Sequence, residues 1–207
     1  MPRSTLSLLL CLVWIGLLTI AAPPAPAAEP AGNADGPAEF SDGFEAELGP
    51  DGLPPGWTGL FGVAEFGRNV VRTDERAFEG RYSIRIEDES AETSVGLRSA
   101  PIPARPGIVY EARVEVFVER GAGQLYLEFW NDAGERIHYV ALGTSQTGSW
   151  STVTIQETAP PGTTSITLLL YGHVRNTGVA FYDAVALTAL RAPSAAAGTD
   201  GSAPFTG

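Results

Sequence analysis

The chain has 207 residues, 44% of them hydrophobic, which is enough apolar material to bury one core of ordinary size and to fold as one domain. All 13 basic residues are Arg, against 24 acids, so the formal charge is -11, and only Arg3 lies in the first 60 residues. A surface of that sign repels phosphate backbones and argues against nucleic-acid binding. The 24 Gly and 16 Pro make about a fifth of the chain, below the level at which so apolar a polymer is expected to stay disordered.

Residues 1–27 read as a secretory signal peptide. Arg3 supplies the charge, Leu6 to Ile20 is an almost unbroken apolar run, and Ala25-Pro26-Ala27 places small residues where a peptidase cuts. The competing reading is an uncleaved anchor, because Leu6 to Ala22 is at the short end of what spans a bilayer. Cleavage predicts a secreted, extracellular protein with no stable membrane insertion. It also removes Cys11, the only cysteine, so zinc and iron-sulfur sites fall away. The cleaved chain carries 12 Arg against 24 acids, a charge of -12, and offers carboxylates to calcium. Residues 28–39 read as a linker and 191–207 as a flexible tail, both rich in Ala, Gly and Pro, which leaves 40–190 as the folded body.

Within that body the apolar period is two. Candidate strands are Phe61 to Phe66, Tyr82 to Glu87 and Thr93 to Arg98, then a long one from Val109 to Glu119. In the long strand Tyr110, Ala112, Val114, Val116 and Val118 face one way, and Glu111, Arg113, Glu115, Phe117 and Glu119 the other. The next segment sets Leu125, Leu127 and Phe129 against an outward row of Gln124, Tyr126, Glu128 and Trp130, and Asn131 to Gly134 supplies a turn. Strands at Arg136 to Leu142, Thr152 to Thr158, Ser165 to Tyr171 and Val179 to Leu187 follow. No apolar residues hold helical spacing over three turns, so an all-β sandwich is the consistent architecture.

Several segments in order then carry a resemblance: Gly43-Phe44-Glu45 with Trp57 beyond it, Glu79-Gly80-Arg81-Tyr82-Ser83-Ile84, Pro106-Gly107-Ile108-Val109-Tyr110, Thr147-Gly148-Ser149-Trp150, Thr158 to Gly162, and Phe181 to Leu187. Together they resemble carbohydrate-binding modules of the family 4/9 type, which are galactose-binding-domain-like jelly rolls. The resemblance implies a jelly-roll β-sandwich of two antiparallel sheets, and a polysaccharide or other glycan as partner. It also implies a buried structural calcium held by Glu45 and Asp183 with backbone carbonyls near Arg81 to Ser83. The family usually has a second Asp after the first, and here that residue is Ala184.

A sugar site needs a flat aromatic face for a pyranose ring and planar polar groups beside it. The outward row Tyr126, Glu128 and Trp130 offers both, Arg113 on the preceding strand is placed beside it, and Tyr171 with His173 extends the platform. These five, Arg113, Tyr126, Glu128, Trp130 and Tyr171, are the candidate ligand-binding residues. The alternative is that loops cover this face, with Trp130 and Phe117 as satellite core and Arg113 paired to Glu115 or Glu128. Trp57 and Trp150 are read as structural. Neither His138 nor His173 has a nucleophile or a metal-type spacing beside it, and nothing marks Glu115 or Glu128 as a proton donor. The chain is therefore read as a secreted, non-catalytic module that binds an extracellular glycan. The alternative is a surface adhesion or spacer jelly roll that makes protein contacts without a sugar. Exposure of Tyr126, Glu128 and Trp130 in an open groove favours the first, and their burial the second.

Overall fold

The computed structural model describes residues 39–60, 69–93, 95–172 and 177–190. The expected leader and tail, linker residues 28–38, the strand at Phe61 to Phe66 and His173 lie outside the described residues, and Glu39, assigned to the linker, instead opens the first strand. The described chain is an all-β jelly roll of two antiparallel sheets, each of six strands.

The first sheet runs in the order β10 (Trp150–Thr158), β7 (Val109–Arg120), β12 (Gly178–Leu190), β4 (Ser83–Asp88) and β3 (Val70–Thr73), with β1 (Glu39–Asp42) also paired to β12. The second is β2 (Trp57–Leu60), β5 (Gly96–Ser99), β11 (Ser165–Tyr171), β8 (Gly123–Trp130) and β9 (Arg136–Thr144), with β6 (Ile102–Pro103) on β11. Alternation sets the core. Ala112, Val114, Val116 and Val118 of β7 meet Leu125, Leu127 and Phe129 of β8 and Leu168 and Leu170 of β11, all fully buried between the sheets. Each such Leu or Val contributes about 1.5–3 kcal/mol by leaving water.

Tyr182 spans the core from the first sheet to the second. Its hydroxyl donates to the Tyr171 carbonyl at 3.0 Å and accepts the Gln124 N–H at 3.1 Å, which ties β12 to the β8–β11 pair. Burial pushes the phenol far above its ordinary range, so it stays a neutral donor. Glycine at 123 makes room for it, since a Cβ there would stand 2.9 Å from the hydroxyl and 2.7 Å from Val116 Cγ1.

One expectation about neighbours is corrected here. Strands β7 and β8 are consecutive, and the sequence reading set Arg113 beside Tyr126, but the connection through Gly121, at φ 79°, carries the chain from one sheet to the other. Consecutive strands in a sandwich need not pair, and only hairpin-length connections with ladder bonds make them do so. Arg113 therefore lies on the outer face of the first sheet and Tyr126 on the outer face of the second.

Candidate functional site

The outer face of the second sheet is built from β2, β5, β11, β8 and β9. Cross-strand partners share a face, so the register places Glu128 opposite Thr167 of β11 and Tyr139 of β9, and Tyr126 opposite Leu169 and Ala141. Thr58 and Arg98 are partners on β2 and β5, and Arg98 is opposite Leu169. The Asn131–Glu135 turn fixes the β8–β9 register: the Asn131 N–H donates to the Glu135 carbonyl at 3.0 Å and the Gly134 N–H to the Asn131 carbonyl at 3.1 Å. A bulge after Phe129 then brings Arg136 beside Trp130.

At the centre is Glu128, whose carboxylate has no exposed surface. Its two oxygens accept four hydrogen bonds. Arg98 donates Nε to Oε2 at 2.7 Å and Nη2 to Oε1 at 3.1 Å. Arg136 donates Nη1 to Oε1 at 2.5 Å, and Thr167 Oγ1 donates to Oε2 at 2.9 Å. The Thr167 hydroxyl in turn accepts the Trp130 indole N–H at 2.8 Å. A fully buried carboxylate needs such partners, and here they all come from the same sheet face.

Aromatic rings surround this ionic centre. The Arg98 guanidinium lies 5.2 Å from the Trp130 ring centroid, and that of Arg136 lies 4.7 Å from Tyr139. Tyr126 stacks on Tyr139 with centroids 5.7 Å apart and planes at 19°, and meets Tyr171 edge-on at 5.3 Å. Burial, followed by the neighbouring Tyr171 and Tyr139, raises the Tyr126 phenol above its usual range, so it presents a neutral hydroxyl. Tyr126, Trp130 and Tyr171 are half-buried and Tyr139 is exposed. The face thus offers flat apolar rings beside planar polar groups, the combination suited to a sugar ring.

Four of the five predicted ligand-binding residues, Tyr126, Glu128, Trp130 and Tyr171, are brought together here. Arg113 is not. It pairs with Glu115 at 2.6 Å on the far sheet, where the Thr152 hydroxyl also donates to Glu115 at 2.8 Å. Glu115 and Glu128 accordingly sit on the outer faces of different sheets. A second correction concerns exposure: Glu128 is interred under two guanidiniums and a hydroxyl, so by the exposure criterion it counts toward the spacer alternative, and the half-buried rings of Tyr126 and Trp130 are what the row leaves open to a sugar. On the far sheet Phe117 is also covered, packed against Trp150 and Phe181 with the Arg76 guanidinium 4.3 Å from its ring. That supports the structural reading of Trp150, as does Trp57, buried against Phe44 and donating its indole N–H to Asp42 at 2.7 Å.

Sequence reasoning missed Arg98, Arg136, Tyr139 and Thr167. The signal for Tyr139 was present, since a tight turn at Asn131 to Gly134 obliges the next strand to pair with β8 and its alternation then chooses the face, whereas Arg136, three residues away, reaches that face only through the bulge.

The residues expected to hold calcium lie just beyond the end of the β1–β12 pairing, which closes at Asp42 and Val185. Their donor chemistry is different. Glu45 Oε1 accepts the N–H groups of Arg81 and Tyr82, each at 2.7 Å, and these bonds hold its carboxyl below the usual range. Asp183 Oδ2 accepts from the N–H groups of Phe78 at 2.7 Å and Glu79 at 3.1 Å, and Oδ1 from that of Ala184 at 2.7 Å. Five backbone N–H groups thus occupy Glu45 Oε1 and both Asp183 oxygens, and a calcium ion would have to compete with them for these lone pairs. Arg72 donates to the carbonyls of Phe44 and Ala46, giving that loop a cation of its own. Among the described residues no three His, Cys, Asp or Glu side chains gather at metal-binding distance.

No family model matches the chain, and no curated protein matches it. Solved structures do share the fold. The CBM22-1 xylan-binding domain from Paenibacillus barcinonensis Xyn10C has a TM-score of 0.53 at 17% identity, over 74% of this chain and 95% of that one. The C-terminal family 22 carbohydrate binding module of Clostridium thermocellum Xyn10B gives 0.51 at 17%, over 74% and 94%. The enzymatically active domain of bacteriophage CBA120 tailspike protein 4 gives 0.53 at 10%, over 66% of this chain but only 20% of that one.

Proposed function

We propose that this chain is a non-catalytic module that binds an extracellular polysaccharide across the outer face of the β5–β11–β8–β9 sheet. The observation that carries this reading is the set of half-buried rings, Tyr126, Trp130 and Tyr171, arranged with Tyr139 around one ionic centre on a single sheet face. Two of the similar structures named above are a xylan-binding domain and a carbohydrate binding module, which supports xylan-type polymers as the first ligands to try. The reading is non-catalytic because Glu128, the acid at the centre of the face, spends both oxygens on protein donors and has none directed at a ligand. The leader read from Leu6 to Ile20 would deliver such a module to the outside of the cell, where its polymers are.

Affinity electrophoresis in gels containing soluble xylan tests the proposal. The wild-type chain is retarded, Tyr126→Ala with Trp130→Ala migrates as in a polymer-free gel, and the melting temperature shows the variant folded. Undiminished retardation of the double variant would place the sugar elsewhere.

A further inference from the structure

The proposed glycan face carries an unbalanced charge. Two guanidiniums, Arg98 and Arg136, converge on one carboxylate, Glu128. No other ionised side chain occupies the described positions of the outer rows that the register defines: Thr58 and Leu60, Gly96, Ser165 to Tyr171, Gln124 to Trp130, and Tyr139 to Gly143. The next acids along the chain, Asp132 and Glu135, belong to the exposed hairpin turn and not to these rows, and the Asn131 side chain holds Glu135 there at 3.0 Å. A chain of net charge -11 thus presents a local excess of positive charge where its rings converge.

The two arginines differ in what they have left to give. Arg98 binds Glu128 through Nε and Nη2, a two-point contact, and its side chain is 21% exposed. Arg136 meets Glu128 through Nη1, and its side chain is 38% exposed beside the exposed ring of Tyr139. A guanidinium fork matches a planar carboxylate, and Glu128 already shows that match from below.

We infer that the face selects glycans whose sugars carry a carboxylate: Arg136 takes a uronate group while Trp130, Tyr126 and Tyr139 take the ring faces. This rests on the proposed glycan binding and adds the ligand's charge class to it. Repulsion between an acidic chain and an acidic polymer acts at long range and is screened beyond about 8 Å at physiological salt, whereas the contact to Arg136 is short and persists.

The test is isothermal titration of the full chain at 0.15 M salt with glucuronoxylan and polygalacturonate. Each is compared with the same polymer after chemical reduction of its carboxyl groups to alcohols. The wild type binds at least one carboxylated polymer about tenfold tighter than its reduced form, the worth of one charge-assisted contact. Arg136→Gln loses most of that ratio, and its unchanged circular dichroism shows that the sheet is intact. Equal affinity for carboxylated and reduced polymers overturns the inference and leaves glycan binding standing. A preference that survives in Arg136→Gln also overturns it, since the selecting group is then elsewhere. Absence of binding to all four polymers removes the glycan reading itself.

Discussion

Replacing Glu128 with Gln isolates what holds the site together. The carboxylate is wholly buried and takes three hydrogen bonds from guanidiniums and one from a hydroxyl. The amide keeps the shape but loses the charge, and its NH2 group must face an arginine donor. Breaking a fully buried ion pair costs about 3–5 kcal/mol, while an exposed pair is worth about 0–1 kcal/mol. Here the acid is interred but the arginine side chains are 21% and 38% exposed and recover solvation, so a loss of about 2–3 kcal/mol is expected. For a domain of this size that lowers the melting temperature by about 5–10 °C. Thermal unfolding followed by circular dichroism reads it directly. Glu135→Gln, a charge-matched change at the exposed hairpin tip, serves as control and should fall within about 1–2 °C of wild type. Equal small shifts in both variants would show Glu128 to be no more than a solvated acid.

Tyr182→Phe removes the hydroxyl that joins the sheets and leaves the Gln124 N–H and the Tyr171 carbonyl without it. Urea unfolding should show a loss of about 1–3 kcal/mol with an unchanged slope, and a loss under 0.5 kcal/mol would contradict the bridge. Asp88 is buried, its Oδ2 has no hydrogen-bond partner, and desolvation raises its pKa above the ordinary 3.8. A raised carboxyl favours the folded state while protonated, so its contribution is present below the unfolded value and is lost as pH rises through the folded one. Melting temperature should therefore fall from acidic toward neutral pH with a steeper slope in wild type than in Asp88→Asn, and parallel slopes would count against it. Because N–H groups face Glu45 and Asp183, saturating calcium and chelator should give melting temperatures within about 1 °C of one another. A rise with calcium that chelator reverses would restore the two-carboxylate site that the family resemblance implies.

The parts of the fold that could be read were those governed by alternation over many residues. Leu125, Leu127 and Phe129 turn inward as their period requires, and β11 spans the predicted Ser165–Tyr171. Strands β1, β2, β3 and β6 escaped because two to four residues are too few to display a period, and their pairing is decided by neighbours distant in sequence. Partnership between strands was the harder question. The short Gly121-containing link looks like a hairpin in sequence yet crosses between sheets, and that single step moved Arg113 to the wrong face. Glu128 was found by its row, but its burial was not, because what covers it, Arg98, arrives from β5 by long-range pairing through β11. The calcium expectation came from resemblance alone, and the polarity of groups around a carboxylate is a property of loop backbone that side-chain identity does not reveal.

The indole N–H signals in a heteronuclear correlation spectrum, recorded while oligosaccharides from glucuronoxylan are added, report which sheet face meets the sugar. Trp130 lies on the proposed face, with its N–H on Thr167, whereas Trp57 and Trp150 are packed elsewhere. Binding on the proposed face gives a saturable shift of the Trp130 signal with Trp57 and Trp150 unmoved. A shift of Trp150 with Trp130 unchanged would put the ligand on the opposite sheet and contradict it.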